Sequence, residues 1–335
     1  MTTSPDFDPA SALQFVINGA AGSTNANAQR DVIEAALKAG GRRGSLLLCR
    51  PDELARVAQQ AAATAIATRS AVVAVGGDGT LNTVATAAHA AGCAMGVVPQ
   101  GTFNYFARTH GIPADPAEAV RQLLRSVPAP VQVAGINDRV FLVNASLGLY
   151  PDLLEDRETY KARFGRSRWV AFIAGCMTLL RAQRHLRLHI EVGDTARDVS
   201  ALTLFVGNNR LQLQQFGAEP ADTLTGTTGD GSIAALMLRP IGTLSMIRLM
   251  MHGAMGSLGE AQSVESFEFH HMVVTPPLAP GRRSVKVAFD GEVVKMRPPL
   301  DFRVLATPLY LLMPPAEAQA SGNASQSGES QGSRA

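Results

Sequence analysis

The chain has 335 residues, 46% of them hydrophobic, with 30 Lys and Arg against 28 Asp and Glu for a formal net charge of +2. That length allows two domains with substantial cores, and so small a charge gives no concentrated basic face for nucleic acid. The three cysteines, Cys49, Cys93 and Cys176, form no close metal-ligand pair and read as small hydrophobes of a reducing compartment. Met1 to Asp6 lacks a basic n-region and an apolar core, so no secretory signal is expected. No run of about eighteen uncharged apolar residues occurs, so an ordinary transmembrane helix is not expected. The expected location is cytoplasmic, with peripheral contact at the inner membrane surface left open.

The first strand is Leu13 to Ile17, running into the small-residue loop Asn18-Gly19-Ala20-Ala21-Gly22-Ser23. Asn25 or Asn27 caps a helix over about 28–39. Ser45 to Cys49 reads as strand two, and Pro51-Asp52 opens an alanine-rich helix to about Thr68. Val72 to Val75 is strand three, with a helix over 83–91. Met95 to Val98 is strand four, and Asp115-Pro116 opens a helix to about Leu124. Strands and helices alternating with short links predict a parallel α/β unit with helices on both faces. From Pro128-Ala129-Pro130 onward the pattern changes to short alternating segments: 131–136, 140–146, 186–192, 200–206, 232–238, 263–270, 284–289 and 293–296. They predict an antiparallel β-rich domain, interrupted by helical patterns at about 168–183 and 244–258. The predicted fold class is therefore α/β: an N-terminal parallel α/β domain over 1–130, a C-terminal antiparallel β-rich domain over 131–314, and a cleft between them. The apolar run 304–312 is open to either domain. Residues 315–335, rich in Gly, Ser, Gln, Asn and Ala, are expected to be disordered.

The most informative stretch is Val72-Val73-Ala74-Val75-Gly76-Gly77-Asp78-Gly79-Thr80. A buried parallel strand that ends in glycines presents backbone N–H groups at the sheet edge where open α/β sheets bind ligands, and these donors suit phosphate. Gly76, Gly77 and Gly79 are free to take φ > 0 and leave room for a phosphate; a tight turn with no ligand is the plainer alternative. Asp78 brings an acid into this run, suited to a magnesium ion or its hydration shell. No Gly-Lys-Ser/Thr follows, so this is not a P-loop, and it lacks the usual dinucleotide fingerprint. Pro99-Gln100-Gly101-Thr102-Phe103-Asn104 follows strand four at the same sheet edge. Gly101 admits close backbone approach, while Thr102 and Asn104 offer a hydroxyl and an amide to phosphate or ribose. Thr102 is equally readable as an ordinary helix cap.

Together, Gly76–Thr80 and Gly101-Thr102-Phe103-Asn104-Tyr105-Phe106-Ala107-Arg108 resemble the catalytic domain of the diacylglycerol kinase and sphingosine kinase family, most closely its soluble bacterial lipid kinases. Asn18-Gly19-Ala20-Ala21-Gly22 resembles that family's Asn-Pro-x-Ser-Gly segment. The resemblance continues through Ala145–Leu149, Gly207-Asn208-Asn209, Asp230-Gly231-Ser232-Ile233 and Asp290-Gly291-Glu292. It implies ATP-dependent transfer of the γ-phosphate to a lipid hydroxyl, that of diacylglycerol or a related lipid, with ATP and Mg2+ as cofactors. ATP would be surrounded by Asn18, Gly76, Gly77, Gly79, Thr80, Gly101, Thr102 and Asn104, beside Asp78. Asp230 would sit in a loop holding a structural magnesium, and Glu292 would be the general base. A turn at Gly291 between two strands also places Asp290 and Glu292 at one hairpin tip, where a carboxylate within ~3 Å of an alcohol takes its proton; a solvated Asp-Gly hairpin is the alternative.

The chain departs from the family at Tyr105, where magnesium-dependent members usually carry aspartate; tyrosine supplies no carboxylate at neutral pH. Leu211-Gln212-Leu213-Gln214 replaces a glycine-rich turn. The expected partner is a lipid presented at a membrane surface, with no nucleic acid and a homodimer left open. The apolar stretch 169–180, flanked by arginines, suits either an anionic interface or a cover for the β core. Two other readings stay open: an enzyme like the nicotinamide dinucleotide kinases, which share Gly-Gly-Asp-Gly but carry a later Asn-Glu pair absent here, and a non-catalytic nucleotide- or lipid-binding sensor.

Overall fold

The computed structural model describes residues 4–19, 23–101, 104–148, 186–208, 231–239, 264–278, 280–290 and 292–315. Thr102, Asp230, Gly291, the loop 20–22, the helical patterns at 168–183 and 244–258 and the tail beyond Pro315 lie outside them. The chain divides into two compact units, Met1–Val131 with Thr307–Ala335, and Gln132–Ala306.

In the first unit, β1 (Leu13–Asn18), α1 (Ser23–Ala39), β2 (Gly44–Cys49), α2 (Leu54–Ala67), β3 (Ala71–Gly76), α3 (Asp78–Ala91), β4 (Ala94–Pro99), α4 (Tyr105–Thr109), α5 (Pro116–Leu123) and β5 (Val127–Val131) follow in order; β18 (Leu309–Met313) returns to the same sheet. The strand order is β2-β1-β3-β4-β18-β5, parallel except for the β5–β18 pair. Every residue of β3 and β4 is buried, as expected of central parallel strands covered on both faces. The chain leaves β1 toward β2 and leaves β3 in the opposite direction toward β4. Right-handed crossovers then put α1 on one face and α2 and α3 on the other. Consistent with this, α1 packs against α5 and α2 against α3. The adjacent carboxyl ends of β1 and β3 are therefore a topological switch point, where such sheets open a ligand crevice.

In the second unit, β6 (Ala134–Ile136), β7 (Arg139–Phe141), β9 (Leu186–Val192), β10 (Thr195–Ala201), β14 (His271–Thr275) and β17 (Leu300–Val304) form one antiparallel sheet. Its order is β10-β9-β14-β17-β6-β7. The other sheet, β13-β12-β11-β8-β15-β16, contains β8 (Asn144–Gly148), β11 (Thr203–Gly207), β12 (Ile233–Leu238), β13 (Val264–Phe269), β15 (Val285–Phe289) and β16 (Glu292–Met296). Ile136, Ile190, Met272 and Phe302 of the first sheet share a buried cluster with Leu147, Leu204, Ala235 and Val287 of the second. The expected mixed α/β fold, parallel first and antiparallel second, is thus observed.

Several element boundaries differ from the sequence expectation. The expected strand 140–146 is two strands in different sheets, β7 and β8, because the Asp290 carboxylate and Asn208 fix a turn at Leu142-Val143. The expected strand 200–206 is likewise split between β10 and β11 at Leu202. Strands β14 and β17 were not expected. Neither was β5, which spans Pro128 and Pro130; an edge strand tolerates prolines that a central one excludes. Among the described residues, no helix is long and apolar enough to cross a membrane.

Candidate functional site

The switch point gathers three turns. The Asn18 amide, at the end of β1, donates to Thr80 Oγ1 at 2.9 Å, and Thr80 is only 6% exposed. That bond ties the β1 turn to the first turn of α3. The turns after β3 and β4 also touch. Gln100 N donates to Gly76 O at 2.8 Å, and a Cβ on Gly101 would lie 2.9 Å from Gly77 Cα. Only glycine permits that approach.

The glycines do not use the left-handed backbone open to them. None of Gly76, Gly77, Gly79 and Gly101 has positive φ. Gly77 is extended (φ −84°, ψ −177°) and caps α3, which begins at Asp78 rather than at the expected Thr83. A Cβ on Gly76 would lie 2.6 Å from Thr80 Cβ. At Gly76 and Gly101 steric closeness, not left-handed backbone, calls for glycine. The fourteen-residue α3 thus begins on Gly77 with no side-chain cap.

Asp78 opens α3 and faces the start of α4. Burial raises its pKa above the usual carboxylate value, and the backbone N–H groups of Asn104, Tyr105 and Phe106, with its own, oppose that rise. One carboxylate oxygen, Oδ1, is buried without a hydrogen-bond partner among the described residues. Asn104 caps α4 in the left-handed region (φ 49°). Its Oδ1 accepts from Gly101 N at 2.8 Å and its Nδ2 donates to Gly101 O at 2.9 Å. The Asn104 amide thus bonds to both backbone groups of Gly101.

The second unit collects its polar motifs at one end of the β8-containing sheet. Pairing of Gly207 with Asn144 and with Ala234, Ile233 with Phe269, and Phe289 with Ala145 puts these strand ends side by side. Asp290 is 4% exposed with φ 45°. Its Oδ2 accepts from Leu142 N at 2.7 Å, and its Oδ1 from Val143 N at 2.8 Å and Asn144 N at 3.0 Å. Asp290 is an interior anchor, not a solvated hairpin residue. Asn208, 2% exposed, donates from Nδ2 to Gln132 O and Leu142 O, both at 3.0 Å. Gln132 Nε2 donates in turn to Asn208 O at 2.6 Å and Ser232 O at 2.9 Å. Glu292 is exposed at the first position of β16, paired with Phe289. Gln132 carried no local signal; its partners lie 76 and 100 positions away. Among the described residues, no three His, Cys, Asp or Glu side chains cluster as a metal site. Cys49 and Cys93 are buried free thiols, and burial pushes the Cys93 thiol up to about 11.

A parallel α/β unit followed by an antiparallel β-rich unit is the arrangement expected from the resemblance. Residues 12–136 match the family model of the diacylglycerol kinase catalytic domain. Among curated proteins, the chain is 32% identical over 143 residues to the Klebsiella pneumoniae (strain 342) protein named "Probable lipid kinase YegS-like", covering 42% of this chain and 47% of that protein. It is 26% identical over 251 residues to the uncharacterised protein sll0036 of Synechocystis sp. (strain ATCC 27184 / PCC 6803 / Kazusa), covering 73% and 55%. The chain spans about half the length of the curated relatives it matches. Its fold is similar to the crystal structure of a diacylglycerol kinase from Bacillus anthracis str. Sterne, with a TM-score of 0.63 at 16% identity, over 91% of this chain and 98% of that one.

Proposed function

We propose that this protein is an ATP-dependent lipid kinase, transferring the γ-phosphate to the hydroxyl of diacylglycerol or a related lipid presented at a membrane surface. The observation that carries this reading is the joining of the β1, β3 and β4 turns at the switch point through Asn18–Thr80 and Gly77–Gly101. Anions are favoured at such a place, where backbone N–H groups and a helix N-terminus converge. Gly76, Gly77, Gly79 and Gly101 are the proposed cradle for the phosphates, with Asn18, Thr80 and Thr102 around the nucleotide and Asn104 fixing the loop.

The buried Asp78 Oδ1, unpartnered among the described residues, is the kind of hard oxygen that suits Mg2+ or its bound water. Asp78 is the residue proposed to face the metal that accompanies the nucleotide, whose charge would offset that on the transferring phosphoryl group; Asp230 is proposed for the structural magnesium of its own loop. Tyr105 contributes no acid there. In the proposed reaction the lipid oxygen bonds to the γ-phosphorus, the bond from that phosphorus to the β-bridging oxygen breaks, and ADP leaves. Glu292 is the proposed acceptor of the hydroxyl proton. Its carboxylate is exposed and therefore open to a substrate.

The test is an unbiased lipid-extract assay with γ-labelled ATP and mass identification of the product. A phosphorylated glycerolipid is the expected result. Nucleotide binding without transfer, across several lipids and divalent metals, would replace this reading with a sensor in which Tyr105 marks the lost acid.

A further inference from the structure

A net charge of +2 over the whole chain conceals a local excess in the second unit. β15 and β16 form an antiparallel hairpin in which Val285 pairs with Met296 and Phe289 with Glu292. The start of β15 and the end of β16 therefore lie together, at the opposite end from Glu292. Five cations gather there. Lys286 and Lys295 stand directly opposite each other, Arg282 and Arg283 lead into β15, and Arg297 follows β16. All five are exposed. Arg282, Arg283, Lys295 and Arg297 make no ion pair among the described residues. Asn137 brings two acids near them: its Nδ2 donates to Arg297 O at 3.3 Å and its Oδ1 accepts from Asp301 N at 2.8 Å. Asp301 is already paired with Arg303 and His271, which leaves Asp138.

Like charges directly opposite each other destabilise a sheet. Packing does not explain them here, because the hairpin meets the core through Val285, Val287, Phe289, Val294 and Met296. The loop that ends in Arg282 and Arg283 also carries an apolar side chain into water. It leaves β14 through Pro276 and Pro277, and Leu278 is 39% exposed. Cations beside an exposed apolar group suit a bilayer, where the charges meet lipid phosphates and the apolar group enters the acyl boundary. A nucleic acid or an acidic protein surface would use the charges and leave Leu278 unexplained.

We propose that this end of the β15–β16 hairpin, together with Leu278, is the surface by which the chain docks on an anionic bilayer. The inference rests on the lipid-kinase reading and deepens it, by naming the part of the second unit that meets the membrane holding the substrate. Arg282, Arg283, Lys295 and Arg297 supply the attraction to lipid phosphates, and Leu278 anchors the loop. Each basic side chain near such a surface raises the partition onto it by about fivefold. Four of them give a preference over a neutral bilayer on the order of several hundredfold, which salt weakens. Docking of this strength is reversible, as a single exposed leucine adds little to it.

Cosedimentation of the full chain with vesicles, without nucleotide, reads this directly. Native protein binds vesicles of equal parts phosphatidylglycerol and phosphatidylcholine and leaves pure phosphatidylcholine in the supernatant. Arg282→Gln with Arg283→Gln lowers that binding about thirtyfold, and Leu278→Ser lowers it further. These exposed positions keep the native melting temperature and native turnover of a short-chain diacylglycerol in free solution. In a Trp169→Phe background, Leu278→Trp shifts its emission to shorter wavelength on the phosphatidylglycerol vesicles only. The proposal is overturned by a native chain that ignores those vesicles, or by undiminished binding of the double glutamine variant. It is equally overturned by an introduced tryptophan whose emission stays that of water, or by tighter binding to single-stranded RNA than to the vesicles. Vesicle binding is scored without turnover, so a chain that docks as described yet phosphorylates no lipid counts against the kinase reading alone.

Discussion

The Asn18 amide donates to Thr80 Oγ1 at 2.9 Å across 62 positions of sequence, and this one bond couples the end of β1 to the first turn of α3. Thr80→Val keeps the shape and removes the acceptor. A neutral hydrogen bond of this kind contributes about 1 kcal/mol, so the melting temperature falls by a few degrees at most. The larger effect is expected on nucleotide use. With the β1 turn released, KM for ATP rises several-fold while kcat changes less, as when binding rather than chemistry loses a contact. Steady-state kinetics against ATP at saturating lipid make the measurement. An unchanged KM removes this bond from the nucleotide site.

Gly101 tests the cradle by filling it. An added Cβ would meet Asn104 Oδ1 at 2.7 Å and Gly77 Cα at 2.9 Å. Gly101→Ala therefore forces the two turns apart, at about 1–3 kcal/mol, and should lower ATP affinity at least tenfold. Gly92→Ala is the matched control. Gly92 has φ +71° at the far end of α3, with nothing within 4 Å of the added carbon. It strains the backbone by about 1–2 kcal/mol without touching the cradle. Equal losses of ATP affinity in the two variants would trace the effect to stability alone.

Much of this architecture is legible in the chain because its signals are local. Val72–Val75 reads as a buried strand from four consecutive apolar residues, and the glycines behind it mark its end. The exact start of α3 is not legible. Glycine ordinarily opposes helix, yet Asp78 and Gly79 are already helical behind the extended Gly77 cap. What sequence reading misses in the second unit is non-local. Asp290 anchors residues 146 to 148 positions away, and Gln132 reaches Asn208 across 76. No periodicity or neighbouring residue announces such partners. The same bonds explain why an apparently continuous apolar segment, 140–146, breaks into two strands.

Asp290 and Glu292 separate structure from chemistry two residues apart. Asp290 accepts three backbone N–H groups in the interior. Asp290→Asn turns an amide donor toward those donors and is expected to cost about 2–4 kcal/mol. For a unit of this size that lowers the melting temperature by roughly 5–15 °C. Glu292 is exposed, so Glu292→Gln stays within about 0.5 kcal/mol of native. Its kcat falls about 10²–10⁴-fold if the carboxylate takes the substrate proton. Thermal melts and lipid phosphorylation measured on both variants divide the roles; near-native turnover by Glu292→Gln ends its assignment as the base.

His110 gives the first unit a pH dependence with a definite sign. The ring follows α4 and packs edge-on against Phe106, with centroids 4.6 Å apart. Burial pushes its pKa down from 6.5 to about 4. The unfolded chain therefore takes up a proton near pH 6.5 that the folded chain resists until pH 4. Above pH 6.5 neither state is protonated and the full stability is present. Between 6.5 and 4 the unfolded state binds more protons, and stability falls by up to about 1.4 kcal/mol per pH unit. Below about 4 both states are protonated and the loss stops growing. His110→Gln removes this slope whatever its own cost at neutral pH. By pH 5 the native protein should have lost about 2 kcal/mol more than the variant has, relative to pH 7. Urea denaturation at pH 7, 6 and 5 measures the difference, and parallel curves for the two proteins would show that His110 titrates as an ordinary solvated ring.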